Sequence, residues 1–189
     1  MGALNIVLGL VSVLLATAVL AYPGLDTLTL VLMLASALLV IGLARIIFGI
    51  FVEYVPDWLR ALNISAGFFG IVVTIINMLF PQYITQTLIY LLSVALLASG
   101  ITSALVGRLA EPLPNLLRGL FMIFGISSIA LSVVAFMSTP LGFSTSLYAL
   151  STGYLVSGIS EIFLGVTWIR LSQSEKVLDK AEHMVQKEP

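Results

Sequence analysis

Cysteine is absent from the chain, and charged residues are scarce. Without cysteine the protein has no disulfide, no zinc–thiolate site and no thiol nucleophile. Charged residues make up 9% of the sequence, against about a quarter in soluble domains. The formal net charge of -1 provides no basic surface for a nucleic-acid partner. Because 60% of the residues are hydrophobic and the mean hydropathy is +1.16, the composition predicts an integral membrane protein whose partner is the lipid bilayer.

Recognisable catalytic motifs are missing as well. The sequence contains no glycine-rich phosphate loop, no HExxH, no GxSxG and no paired carboxylates. Its single histidine, His183, lies in a polar C-terminal segment without further ligands at metal-binding spacing. We therefore expect no enzyme activity, no cofactor and no metal site.

Six apolar runs are each long enough to cross a hydrocarbon core, which takes about 20 helical residues. None of the runs alternates between apolar and polar residues as the strands of a membrane barrel do. The first run lacks the basic segment that precedes a signal peptide, so we expect it to be retained. The sequence therefore predicts an all-α fold of six transmembrane helices near residues 5–22, 28–52, 64–80, 86–107, 119–138 and 147–170.

Basic residues are distributed unevenly between the two sets of predicted turns. The turns after the odd-numbered helices, at residues 23–27, 81–85 and 138–146, contain no lysine or arginine. All 8 basic residues lie toward the ends of the even-numbered helices or in the segments that follow them. Since cytoplasmic loops carry an excess of positive charge, this pattern predicts cytoplasmic N- and C-termini.

Glycines recur along the chain at a spacing of 58 residues. An internal repeat of this length indicates three copies of one two-helix unit, about 5–60, 63–118 and 119–170. Each copy crosses the membrane twice, so all three are parallel and predict a pseudo-threefold axis along the membrane normal. We expect one transmembrane domain, residues 1–171, followed by a polar cytoplasmic tail, residues 172–189. The recurring glycines are Gly9, Gly67 and Gly125 in the odd helices, with Gly42, Gly49, Gly100, Gly107, Gly158 and Gly165 in the even helices.

These nine glycines are predicted to lie at contacts between helices. Within a bilayer the hydrophobic effect does not drive helices together, and small residues let two backbones approach closely. A shared register in all three copies favours this packing role over the general abundance of glycine in membrane helices.

Three residues occupy equivalent positions in the three copies: Arg45, Ser103 and Glu161. Each lies three residues after one of the recurring glycines and four residues before the next. They should therefore lie on the helix face that points into the bundle. Because an isolated charge in the membrane is costly, we predict an ion pair between Arg45 and Glu161, with Ser103 beside it. Three interpretations of these residues are open. The ion pair could serve only to fix the register of the helices, or Arg45 could extend to the cytoplasmic headgroups instead of pairing. In the third interpretation the cluster binds an ion, proton or solute.

Each of the three copies contains a glycine, a turn proline and a second glycine in the same order: Gly9, Pro23 and Gly42, then Gly67, Pro81 and Gly100, then Gly125, Pro140 and Gly158. This arrangement resembles the HdeD-like family of prokaryotic membrane proteins. That resemblance implies a six-helix protein of the inner or plasma membrane, associated with acid resistance. We expect a non-enzymatic protein that supports membrane integrity or stress tolerance through packing and homo-oligomerisation. The alternative is a small channel or carrier with a polar route along the pseudo-axis.

Overall fold

Six α-helices make up the protein. The computed structural model describes residues 2–52, 55–80, 85–110, 114–139 and 142–185, with residues 171–185 described by their backbone. The helices are α1 (Gly2–Ala21), α2 (Thr27–Phe51), α3 (Asp57–Leu79), α4 (Thr85–Leu109), α5 (Asn115–Ser138) and α6 (Phe143–Val185). Each contains a stretch long and apolar enough to cross a membrane. The prediction of an all-α protein with six membrane-spanning helices is confirmed.

Two helices are longer than the hydropathy of the sequence indicates. α3 begins at Asp57, whereas hydropathy predicted a start near residue 64. The predicted start is too late because Asp57, Arg60 and Asn63 make the first two turns polar without interrupting the helix. α6 continues beyond the predicted span to Val185. The helical backbone therefore runs on through most of the segment predicted as a polar tail, and residues 186–189 lie outside the described residues.

Proline determines where two of the odd helices begin. Pro56 immediately precedes α3 and Pro114 immediately precedes α5. Proline is tolerated at a helix start, where its missing N–H would have no intrahelical partner, but it interrupts a helix interior. The equivalent position, 58 residues after Pro114, is Ser172, and α6 passes through it without a break.

The even helices contact one another, and each odd helix packs in a groove between two of them. α2, α4 and α6 form three mutual contacts. α3 packs most closely on α2, α5 on α4, and α1 on α6. The tightest pairs therefore join one sequence repeat to the next, and the first helix of the chain packs on the last.

Two apolar clusters fill the interior at different depths. The first apolar cluster lies toward Pro23 and includes Leu34, Leu38, Leu92, Leu96 and Tyr154. The second apolar cluster lies toward Gly2 and includes Phe48, Val52, Leu59, Phe121 and Leu164. Along α2, Arg45 falls between the last member of the first cluster, Ile41, and the first member of the second, Phe48. A polar layer thus separates two hydrophobic ones.

Candidate functional site

Arg45 is buried at the centre of the polar layer, with 4% of its surface exposed. Its Nε atom donates to the hydroxyl of Ser99 at 3.0 Å. Nη2 donates to the carbonyl oxygen of Ser99 at 2.7 Å and to the hydroxyl of Ser103 at 2.8 Å. Nη1 donates to Oδ1 of Asn63 at 3.2 Å and to the hydroxyl of Thr102. The guanidinium therefore joins α2 to both α3 and α4.

This network uses the whole donor capacity of the side chain. A guanidinium carries five N–H groups, and Arg45 makes five hydrogen bonds. Burying a charge is costly unless hydrogen bonds or an opposite charge compensate it. The alternative in which Arg45 extends to the headgroups is wrong, because its charged end is buried against α3 and α4.

Glu161 lies in the same layer on α6 and is also buried, with 5% of its surface exposed. The predicted direct ion pair is wrong: these two described side chains form no salt bridge, and Oε2 of Glu161 accepts no hydrogen bond. The physical reason is that neutral acceptors on α3 and α4 already occupy every N–H of Arg45. A buried acceptor without a partner costs about 1–3 kcal/mol, and more when it is charged.

A small cavity brings Arg45, Ser103 and Glu161 together. Its volume is about 10 Å³, and one water needs roughly 10–15 Å³ by the same measure. On the side of the second apolar cluster, the cavity is bounded by Phe48, Val106 and Leu164. These three residues also occupy equivalent positions in the three copies. The cavity therefore lies where α2, α4 and α6 meet and has room for about one water. Its full lining is Arg45, Phe48, Asn63, Ser103, Val106, Phe121, Ser160, Glu161 and Leu164.

Asn63 belongs to a second set of equivalent positions, on the odd helices. Asn5, Asn63 and Phe121 are 58 residues apart. Asn63 accepts a hydrogen bond from Arg45 across the α2/α3 interface. Asn5 lies on α1, which packs on α6, and is 5% exposed with its Oδ1 atom unpartnered. The α1/α6 interface thus contains an amide and a carboxylate at the positions where α2 and α3 have an arginine–amide hydrogen bond.

The nine predicted glycines lie at helix contacts. A methyl group on Gly67 would lie 2.5 Å from the carbonyl oxygen of Gly42, and one on Gly42 would lie 2.8 Å from that of Gly67. Gly100 faces Gly125 and Gly158 faces Gly9 in the same way. Gly49, Gly107 and Gly165 face the start of the adjacent odd helix, at Arg60, Arg118 and Gly2. Helix pairs that approach this closely leave no space for a Cβ atom.

Hydroxyl groups add interhelical hydrogen bonds to two of the three tight pairs. Thr74 on α3 donates to the carbonyl oxygen of Ala35 on α2 at 2.9 Å. Ser132 on α5 donates to that of Ser93 on α4 at 2.7 Å. The equivalent position on α1 is Ala16, which is fully buried and has no hydroxyl.

Two arginines at the starts of odd helices bind the ends of even helices. Arg60 donates to the carbonyl oxygens of Gly49 at 3.1 Å and Ile50 at 2.9 Å. Arg118 donates to those of Gly107 at 3.4 Å and Arg108 at 2.6 Å. The last carbonyls of a helix lack intrahelical partners, and cationic side chains there are favourable. The recurrence of Arg60 as Arg118 was visible in the sequence, but this role was not.

Of the partners of Arg45, the sequence predicted Ser103 but not Ser99, Thr102 or Asn63. Ser99, Thr102 and Ser103 form a hydroxyl-rich turn on α4. This local excess of hydroxyls within one turn of Ser103 was the available signal, because neutral acceptors can satisfy a guanidinium as a carboxylate can.

Comparison with known proteins identifies the repeat. The comparisons with curated proteins and with solved structures found no match to the chain. Residues 7–73 and residues 65–137 each match the family described as a short repeat of unknown function (DUF308), and the two matches begin 58 residues apart. Pro81 and Pro140, which contributed to the predicted resemblance, lie outside the described residues. The prediction of the family is confirmed: the chain is a multi-pass membrane protein that belongs to the DUF308 family, which includes the HdeD-like membrane proteins.

Proposed function

We propose that the protein is a non-enzymatic component of the prokaryotic cell membrane that supports membrane integrity under stress, including acid stress. In this proposal its N- and C-termini are cytoplasmic, and its three repeats surround a pseudo-threefold axis along the membrane normal. The proposal rests on how the interior is filled, and it treats the buried polar layer as the element that fixes the register of the helices.

The mutual contacts of the even helices support the proposed axis. α2, α4 and α6 touch one another, and each groove between two of them holds one odd helix. Phe48, Val106 and Leu164, one from each repeat, bound the same cavity. This placement is what a threefold arrangement of parallel repeats requires.

The observation that carries the proposal is the saturated guanidinium of Arg45 between two apolar clusters. All its donors bind protein acceptors, so none is left for a passing anion or solute. Apolar side chains pack on both sides of the polar layer, and the cavity within it has room for about one water. An interior packed this tightly suits a structural role better than transport of a solute.

Self-association would use the lipid-facing surfaces of the odd helices. Phe68 on α3 and Met137 on α5 are 63% and 67% exposed. In the monomer such side chains contact acyl chains, and in an oligomer they would contact a second copy. Site-directed cross-linking in native membranes between cysteines at these positions would detect a second copy.

Introduced cysteines test the closed interior directly, because the chain has no native cysteine. Cysteines at Ser103 and Ser151, which are 8% and 0% exposed, should not react with a membrane-impermeant thiol reagent. Cysteines at Gly24 and Asp57 lie on exposed residues at opposite ends of the bundle. In intact cells the former should react and the latter should react only after lysis, which also tests the orientation. Reaction at Ser103 at a rate comparable to Gly24 would contradict a closed interior.

The second candidate function, a small channel or carrier, is favoured by one observation. Oε2 of Glu161 is a buried acceptor without a partner beside a cavity. Proteoliposomes can separate the two functions: a channel or carrier would dissipate an imposed ion or pH gradient. If the protein is a packed bundle without a transport route, the gradient should decay as slowly as in empty liposomes.

A deletion strain that survives acid exposure as well as its parent would contradict the stress role.

A further inference from the structure

The carboxyl group of Glu161 contains one of four buried side-chain atoms that have no hydrogen-bond partner among the described residues. Glu161 is 5% exposed, it lies in the polar layer, and its Oε2 atom has no hydrogen-bond donor. The five donors of Arg45 are directed to other residues. Among the described residues, no group donates to Oε2 of this buried carboxyl group.

A second orphan acceptor lies at the same level of the α1/α6 interface. Gly2 packs on Gly165 and Gly9 packs on Gly158. Asn5 is between Gly2 and Gly9 on α1, and Glu161 is between Gly158 and Gly165 on α6. Oδ1 of Asn5 is buried without a donor. Two acceptors in one interface cannot satisfy each other, but a single proton on the carboxyl group converts one of them into a donor.

We propose that Glu161 is a proton-binding site, in which the carboxylate takes a proton from hydronium through the cavity and releases one water. In the protonated form the new O–H donates to the amide oxygen of Asn5, which lies unpartnered at the same level of the α1/α6 interface. In the ionised form Arg45 supplies the balancing charge across the cavity. Proton binding changes the net charge of the polar layer from neutral to positive.

The surroundings of Glu161 select a proton over a metal cation. α6 packs against α1, α2, α4 and α5. Arg45 from α2 is the charged group that faces the cavity among the described residues, while α4 presents Ser103 and α5 presents Phe121. A positively charged neighbour repels a metal cation, and a cavity for about one water leaves no space for the six or more oxygen ligands of a hard cation.

Infrared spectroscopy tests the site in the full-length protein reconstituted in lipid. A carboxylic acid has a C=O stretch that a carboxylate lacks, so pH-difference spectra report protonation directly. The wild type should show a titrating carboxyl band that is lost in Glu161→Gln. Asp57→Asn is the matched control, because it removes a carboxyl group whose side chain is 97% exposed. Identical difference spectra for the wild type and Glu161→Gln would overturn the proposal.

Two neighbours should move the midpoint of this band in opposite directions. Asn5→Leu removes the acceptor for the protonated form and should lower the midpoint by about one pH unit. Arg45→Gln removes the charge that favours the ionised form and should raise it by about one to three pH units. Should Arg45→Gln fail to fold, Asn5→Leu still decides. A midpoint that is unchanged in folded Asn5→Leu, or a band that responds to sodium or potassium at fixed pH, would contradict the assignment.

Discussion

Arg45 makes two hydrogen bonds to a single residue of the neighbouring helix, from Nε to the hydroxyl of Ser99 at 3.0 Å and from Nη2 to its carbonyl oxygen at 2.7 Å. This geometry needs a planar group with two N–H donors side by side on the same edge. Arginine has such a group and lysine lacks it. The contact therefore depends on the shape of the guanidinium and not only on its charge.

Substitution of Arg45 by lysine should destabilise the protein even though the charge is kept. An ammonium has three donors in place of five, so at least two buried bonds are lost, at a cost of about 2–3 kcal/mol. Thermal unfolding in detergent would measure the loss. Arg108→Lys on the exposed surface of α4 is the matched control and should be nearly neutral. Equal effects of the two substitutions would contradict a role for the fork geometry.

Gly125 and Gly119 on α5 should respond oppositely to alanine. A methyl group on Gly125 would lie 2.7 Å from the carbonyl oxygen of Gly100 and would also clash with the backbone nitrogen of Ala104. Gly125→Ala should therefore separate α4 from α5 at a cost of about 1–3 kcal/mol. Gly119 has no atom within 4 Å of that position, so Gly119→Ala should stabilise the helix by about 0.5–1 kcal/mol. Melting temperatures that change in the same direction would show that close approach is not the cause.

A hydroxyl group can be added where one of the three helix pairs lacks it. Ala16 on α1 is equivalent to Thr74 on α3 and Ser132 on α5. Because Thr74 and Ser132 donate to backbone carbonyl oxygens of the adjacent even helix, Ala16→Ser adds a hydroxyl donor at the same place in the α1/α6 pair. It should stabilise the α1/α6 pair by about 0.6 kcal/mol, the average for such bonds in membranes. Ser132→Ala should lose a similar amount. Destabilisation by Ala16→Ser would show that the α1/α6 interface is too closely packed for the added oxygen.

Asp26 should make the stability of α2 depend on pH in the acid range. The hydroxyl of Thr29 donates to the carboxylate of Asp26 at 2.6 Å, and the backbone N–H of Thr29 donates to the same carboxylate at 3.0 Å. These bonds lower the pKa of Asp26 below its ordinary value of 3.8, with the hydroxyl as the larger cause. A lowered pKa means that the stabilisation is complete above 3.8 and is lost as the pH falls through the folded-state pKa.

Asp26→Asn retains a helix cap without a titrating group. Its melting temperature should therefore change less than that of the wild type when the pH is lowered below 3.8. Thr29→Ala should weaken the pH dependence while leaving the carboxylate in place. Parallel melting curves for Asp26→Asn and the wild type across this range would exclude the contribution of Asp26.

The sequence predicted the equivalence of positions better than their contacts. A period of 58 residues places Arg45, Ser103 and Glu161 at the same height of three helices, and all three line one cavity. The period does not specify the rotation of each helix about its own axis. That rotation directs Arg45 to a turn of hydroxyls on α4, at Ser99 and Thr102, rather than to Glu161.

Helix partners and helix ends were also not determined by hydropathy. The pattern of apolar residues does not distinguish α3 packing on α2 from α3 packing on α4, because both neighbours present small residues. The start of α3 was predicted too late because Arg60 is polar, although this side chain binds the end of α2. Polar residues that satisfy backbone groups at helix ends reduce the hydropathy where the helix continues.

The packing of α1 on α6 has a consequence for how the protein is made. Gly2 and Gly9 meet Gly165 and Gly158, so α1 meets its closest neighbour only after α6 has been synthesised. Until then its glycine surface stays open to lipid, while α2 with α3 and α4 with α5 can already associate. Closure of the bundle therefore waits for α6, and a chain truncated before α6 would leave α1 available to other copies nearby.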